Sequence, residues 1–172
     1  FDGTMDHKDS CGNDRRIVPG DVNLMTAGKG ITHSERSGKE IRQSPSCLFG
    51  IQSWIAQPKA HENGQNGFHH EAAEKLPFFD TDGVSGRLIL GSYEGLKSPV
   101  PMQWDTHYVD CHVQAGKILR YAAEAEERAI YIVKGVVEIA GVRFESGRML
   151  VCQPGQEILV TAAEDAHVML LG

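Results

Sequence analysis

Short runs of β-forming residues, interrupted every few positions by glycine or proline, recur along nearly the whole chain. The 172 residues include 19 glycines and 7 prolines, which are spread through the sequence rather than gathered in one segment. Glycine and proline at such intervals mark tight turns between short strands. The pattern therefore predicts an all-β sandwich or barrel, since these folds are built from many short strands.

Nine runs carry the β signal, and helical signal is scarce. Two of the runs flank Lys134-Gly135, which predicts a hairpin there. A helix of one or two turns is expected at Glu71–Leu76, ending before Pro77. The polar stretch Ala56–Asn66 is interpreted as a connection between two β units. The predicted strands are Val22–Thr26, Leu48–Ile55, Arg87–Leu90, Tyr108–Val113, Ala129–Val133, Val136–Ala140, Met149–Val151, Glu157–Thr161 and Ala166–Leu171.

Composition excludes some classes of function. Hydrophobic residues make up 41% and charged residues 23%, the balance of an ordinary globular domain. Seventeen basic against 23 acidic residues leave a net charge of −6, which argues against direct binding to nucleic acids or anionic membranes. No apolar run approaches the ~20 residues that span a bilayer.

The four cysteines, Cys11, Cys47, Cys111 and Cys152, form no C-x-x-C pair. A zinc site or a redox motif built on cysteine is therefore not expected. Scattered cysteines without a secretory signal predict reduced, mostly buried thiols in a cytoplasmic protein.

A histidine and a glutamate two positions apart, His33 and Glu35, are the candidate metal ligands. On a strand they share one face, with Cα atoms roughly 6.5–7 Å apart, so both side chains reach one ion. Imidazole and carboxylate suit iron, manganese, nickel or zinc. Two ligands are too few for a tight site, however, and the alternative is two exposed polar residues on a strand.

The other histidines are interpreted as surface residues or as hydrogen-bonded core residues. Adjacent His69 and His70 point to opposite faces of a strand, and so do His107 and His112, which are five apart. Because no histidine occurs between Arg128 and Val160, no second metal site is expected in the C-terminal half. The remaining members of this group are His61 and His167. His7 is interpreted as a polar residue of a turn or as a partner of a metal ligand, rather than as a ligand itself.

The segment "PGDVNLMTAGKGITHSE", residues 19–35, resembles the signature of the pirin family. On either side, "MDHKDSCGN" and "GIQSWI" are similar to the family's neighbouring strands. Weaker similarity continues through "EKLPFF", "GSYEGLKSPV", "IYIVKGVVEI" and "DAHVMLLG". The resemblance covers essentially the whole chain.

The resemblance implies two cupin-type jelly-roll β-barrels packed face to face, at residues 1–76 and 77–172. In the family a single metal, usually iron, lies in the N-terminal barrel and is held by three histidines and one glutamate. His33 and Glu35 match two of these four ligands, and the other two histidines belong to a His-Pro-His stretch expected upstream of Phe1. The N-terminal barrel is thus expected to be incomplete, with half a metal site, and the C-terminal tail to be absent.

Two functions are compatible with this resemblance. The first is a mononuclear non-haem iron dioxygenase acting on flavonol-type aromatic substrates, as quercetin 2,3-dioxygenase does. Glu35 is then the candidate general base, and Phe1, Met25 and Trp54 are candidate pocket residues. The alternative is a regulatory protein that binds protein partners, with Fe(II) or another divalent metal as a redox switch.

Overall fold

The computed structural model describes residues 1–172 and is almost entirely β-structure, which confirms the all-β prediction. Two single-turn 3₁₀ helices, Ile41–Gln43 and Ala73–Lys75, interrupt the strands. The strands are β1 Met5–Asp9, β2 Asp14–Ile17, β3 Val22–Thr26, β4 His33–Arg36, β5 Gly67–Glu71, β6 Phe78–Thr81, β7 Val84–Tyr93, β8 Leu96–Lys97, β9 His107–Val113, β10 Ile118–Tyr121, β11 Arg128–Lys134, β12 Val136–Ile139, β13 Val142–Glu145, β14 Met149–Cys152, β15 Ile158–Ala162 and β16 Ala166–Leu171.

The chain forms two compact units, Phe1–Lys75 and Leu76–Gly172. In the first unit, β1 lies between β2 and β4 in an antiparallel sheet, and β3 pairs with β5. The structure contains no helix with the length and apolar character needed to span a bilayer.

Two expectations for the first unit are wrong. Leu48–Ile55 forms no regular strand, because only Phe49 pairs with another segment, at Asp2. Ala56–Asn66 does not join the two units, since the strand that follows it, β5, returns to pair with β3.

The second unit is a sandwich of two antiparallel sheets. The larger sheet has the order β14-β11-β16-β9-β7-β6, with β8 paired to β7, and the smaller has the order β10-β15-β12-β13. Alternation along β9 sends Val109, Cys111 and Val113 into the core, and leaves Asp110 and His112 on the opposite face. The core also includes Leu88, Leu119, Tyr121, Ile130, Ile132, Val137, Val160, Val168 and Leu170.

The predicted hairpin at Lys134-Gly135 is wrong, although both of its strands exist. β11 pairs with β14 and β16, whereas β12 pairs with β13 and β15 in the other sheet. Gly135 has φ +85°, and a Cβ there would press on the Asp165 carbonyl. The residue therefore serves as a corner at which the chain changes sheets, rather than as a hairpin turn.

The thiols differ in part from the prediction. All four cysteines are free, and Cys111 is buried. Cys11 and Cys47 are exposed, so the expectation of mostly buried thiols is wrong.

Candidate functional site

His33 and Glu35 lie on β4, on the face that they share with two residues of β1. Glu35 is directly opposite His7, and His33 is directly opposite Asp9. Residues that are paired across neighbouring strands project to the same side of the sheet. The four side chains therefore form one group, in which His33 is exposed and the Glu35 side chain is 29% exposed.

His7 is the buried member of this group, with a side chain only 2% exposed. Its ring stacks on Phe68 with centroids 4.4 Å apart, and lies nearly parallel to the His33 ring at 5.8 Å. The Nε2 atom is 3.3 Å from Asp9 Oδ2. Packing on one face and the Asp9 carboxylate at one nitrogen thus fix the orientation of this imidazole.

Asp9 is held as a carboxylate. Burial raises its pKa, but hydrogen bonds from the side chain and backbone of Asn13, from His7 and from the Cys11 N–H outweigh that effect and lower the pKa to about 2. The acceptor for His7 Nε2 is consequently an anion at neutral pH, so Nε2 carries the proton.

The chemical types of the side chains on this face suit a divalent cation. The Nδ1 atom of His7 is buried and has no hydrogen-bond partner. It lies 3.6 Å from Glu35 Oε1, too far for a hydrogen bond. The His33 imidazole and the Glu35 carboxylate are nitrogen and oxygen donors of the kind that borderline divalent metals prefer, and His7 lies beside them.

The candidate pocket residues lie in different surroundings. Met25 on β3 is directly opposite Phe68 on β5, and Phe68 is the ring that stacks on His7. Phe1 packs against Phe49 with ring centroids 5.3 Å apart. Trp54 is 94% exposed.

Several of the remaining histidines have hydrogen-bond partners. Buried His107 lies 2.7 Å from the Tyr121 hydroxyl, as expected for a hydrogen-bonded core histidine. On β5, His69 contacts Glu71 at 3.2 Å, and His70 contacts the Asn23 side chain at 2.9 Å.

One cluster was missed from the sequence. Asp110, His112 and His167 bring one ligand atom each to within 4.8 Å of one another, and they form the one such group of three in the structure. His167 Nε2 is 2.6 Å from Asp110 Oδ1, and His112 Nε2 is 3.8 Å from the same oxygen. Burial and His167 lower the pKa of His112, although Asp110 acts in the opposite direction.

A signal for this cluster was present in the sequence. Asp110-x-His112 has the same spacing as His33-x-Glu35, and so puts both side chains on one face of a strand. The third member, His167, comes from β16, and only the pairing of β16 with β9 places it opposite His112.

The two β units, one of them a two-sheet sandwich, together with the His-x-Glu pair, define a bicupin-type protein. The family models agree: "Pirin" matches residues 1–55, and "Pirin C-terminal cupin domain" matches residues 108–172. The chain belongs to the pirin family.

Known proteins support the same assignment. A pirin-like protein of Caulobacter vibrioides is 40% identical over 100% of this chain and 60% of its own length. A crystal structure of quercetin 2,3-dioxygenase from Acinetobacter baumannii is 30% identical, with a TM-score of 0.89 over 99% of this chain and 56% of that one. A bacterial pirin from Escherichia coli, solved in complex with nickel(II), is 25% identical, with a TM-score of 0.70 over 99% of this chain and 68% of that one. The chain thus spans about 60% of the Caulobacter relative.

Proposed function

We propose that His33 and Glu35 are two ligands of a single metal ion in the first unit, and that the full-length protein is a mononuclear dioxygenase of flavonol-type aromatic substrates. The observation that supports this proposal is the shared face on which His33 and Glu35 lie beside His7, whose buried Nδ1 has no hydrogen-bond partner. Fe(II) is the proposed resident metal. Other divalent ions also suit this donor set, and a relative is known with nickel(II).

The residues of this chain have separate roles in that proposal. His33 holds the ion from the exposed side, through a ring nitrogen. Glu35, whose side chain is 29% exposed, would hold it through its carboxylate and would accept the proton of the substrate hydroxyl as general base. When bound, the metal supplies Lewis acidity and one-electron chemistry toward dioxygen. Met25 and Phe1 are the proposed apolar contacts for the aromatic ring.

The names of related proteins support the choice of substrate class. Two proteins with the same fold, both from Acinetobacter baumannii, are known as quercetin 2,3-dioxygenase. Quercetin is consequently the first substrate to test. The chain spans only part of those proteins. The first step is therefore to determine the sequence upstream of Phe1 in the natural protein. A His-Pro-His stretch there would supply the remaining two ligands.

The test combines metal analysis with oxygen uptake in the full-length natural protein. We expect about one iron per chain, oxygen consumption with quercetin, and loss of both in His33→Ala. His61→Ala, a histidine in an exposed turn, is the matched control and should retain both. Undiminished iron in His33→Ala would show that the ligands are wrong.

A non-catalytic regulatory role is the alternative, and one observation favours it. The segment from Leu48 to Ile55 exposes several large apolar side chains, including Phe49 and Trp54, in the manner of a surface that binds a protein partner. Stoichiometric iron without consumption of any flavonol would favour this role. The four free cysteines agree with a cytoplasmic location for either function.

A further inference from the structure

We infer that the second unit carries its own metal site, in which Asp110, His112 and His167 bind one divalent first-row transition-metal ion. The ligand atoms are Asp110 Oδ1 and the Nε2 atoms of the two histidines. This site lies in a different unit from His33 and Glu35, and does not depend on the proposed dioxygenase function.

The strand register builds the cluster. In the antiparallel pair β9–β16, His112 is directly opposite His167, and Asp110 precedes His112 by two residues on the same face. The two imidazoles stack with centroids 4.2 Å apart and planes 20° apart. Since Cys111 fills the core side of β9, the three polar side chains are confined to the other face.

The separations of the ligand atoms match what one ion requires. Around an ion with bonds of about 2.1 Å, neighbouring ligand atoms lie about 3.0–3.4 Å apart. The two known separations, 2.6 Å from His167 to Asp110 and 3.8 Å from His112 to Asp110, fall on either side of that range. All three ligand atoms already lie within 4.8 Å of one another, and rotation of the His112 ring out of its stack on His167 would direct the donors to one ion.

The three side chains differ in solvent exposure, and this difference would let an ion enter the site. The His167 and Asp110 side chains are mostly covered and already in contact, whereas that of His112 is 61% exposed. A fixed pair and one accessible ligand leave a path for an ion to enter from solvent. They also leave coordination positions for water.

The donors select the kind of ion. Two imidazoles and one carboxylate suit Zn²⁺, Co²⁺, Ni²⁺ or Cu²⁺, whereas Ca²⁺ and Mg²⁺ require mostly oxygen ligands. Binding breaks the hydrogen bond between His167 and Asp110. The proton leaves Nε2 and one is taken up at Nδ1 through solvent, so that neutral His167 presents the Nε2 lone pair to the metal. Arg87 lies opposite Asp110 on β7. Its positive charge weakens the attraction of the Asp110 carboxylate for a cation.

The first experiment counts ions in the full-length protein carrying His33→Ala and Glu35→Gln, which removes the two ligands proposed for this chain's first unit. We expect one Co²⁺ per chain to remain bound. Adding His112→Ala should weaken that binding by more than about 100-fold, since even an outer partner of a metal ligand is worth 10–100-fold. Adding His61→Ala should leave it unchanged. No Co²⁺ bound, or equal binding with and without His112, would overturn the inference.

The second experiment needs no histidine variant. Carbethoxylation read by mass spectrometry reports on accessible neutral imidazoles, and both His112 and His61 are exposed. Zn²⁺ should protect His112 and not His61, and Asp110→Asn should abolish that protection. If the cluster is only a hydrogen-bonded pair beside a stacked ring, His112 will react equally with and without Zn²⁺, and the site does not exist.

Discussion

His7 and Glu35 stand directly opposite one another on neighbouring strands, with His7 Nδ1 3.6 Å from Glu35 Oε1. The other nitrogen of the same ring is held by Asp9, whose carboxylate also accepts hydrogen bonds from Asn13 and from the Cys11 N–H. The imidazole therefore connects a fixed anion to the carboxylate proposed as a metal ligand. Groups in such positions orient the ligands and tune their basicity.

His7→Phe is expected to weaken metal binding at His33 and Glu35 by about 10–100-fold. The phenylalanine ring can stack on Phe68 in place of the imidazole, so most of the packing remains, while both ring nitrogens are lost. Isothermal titration with Fe²⁺ or Ni²⁺ in the full-length natural protein measures the change.

His61→Ala is the control for that titration, because His61 lies in an exposed turn. Unfolding in urea, without metal, separates lost affinity from lost stability. An affinity equal to that of the natural protein would show that His7 only fills space.

Arg128→Lys is expected to destabilise the second unit by about 3 kcal/mol. The guanidinium is buried and donates to the carbonyls of Tyr121, Ala122, Gln153 and Gln156 at 2.7–3.2 Å. A lysine ammonium has the charge but not the planar fork, so buried carbonyls lose their donors.

Urea unfolding at neutral pH measures this effect, with Arg120→Lys as the matched control. Arg120 is exposed and pairs with exposed Glu157, so its replacement should change the free energy of unfolding by less than about 0.5 kcal/mol. Equal effects of the two substitutions would contradict the role assigned to Arg128.

Stability is expected to fall as the pH drops below about 6.5, and His107 should contribute to the fall. Burial lowers the pKa of His107 in the folded protein, and Arg128 adds to this, while Glu124 and Asp105 act in the opposite direction. Between the ordinary and the lowered pKa, the unfolded chain binds a proton that the folded chain does not, so acidification favours unfolding.

His107→Gln replaces the imidazole with an amide that can reach the Tyr121 hydroxyl but does not titrate. Its free energy of unfolding should therefore depend less on pH between 7.5 and 5 (about the span of imidazole titration) than that of the natural protein. Identical slopes in the two proteins would show that His107 is not the group responsible.

Local patterns in the sequence predicted much of the fold, because turn residues and alternation act over a few positions. Val22–Thr26 is a strand with the predicted bounds, and Tyr108–Val113 differs by one residue at its start. The partner of each strand was harder to predict, since pairing depends on residues far apart in the chain. Gly135 illustrates this point: the same Lys-Gly dipeptide serves a hairpin or a change of sheet, and the long-range pairing of β11 and β12 with different strands decides between them.

The same contrast between local spacing and long-range strand pairing applies to the two candidate sites. The pair His33 and Glu35 was visible because both members are on one strand. His7 and His167 join their clusters only through strand register, opposite Glu35 and His112 respectively. A single sequence does not determine register, so spacing within one strand can reveal only part of each group, and the Asp110-x-His112 spacing was not recognised.

Gly91→Ala is expected to destabilise the second unit by about 3–5 kcal/mol. Gly91 has φ +72°, and an added Cβ would collide with the carbonyl of Thr106 on the adjoining backbone. Gly95→Ala separates strain from collision, because Gly95 has a similar φ of +78° but open space around its Cβ position. Gly95→Ala should lower the free energy of unfolding by only about 1–2 kcal/mol, the cost of an alanine in the left-handed conformation. Urea unfolding of both variants measures the difference, and equal losses would mean that the backbone at Thr106 moves aside to admit a methyl group.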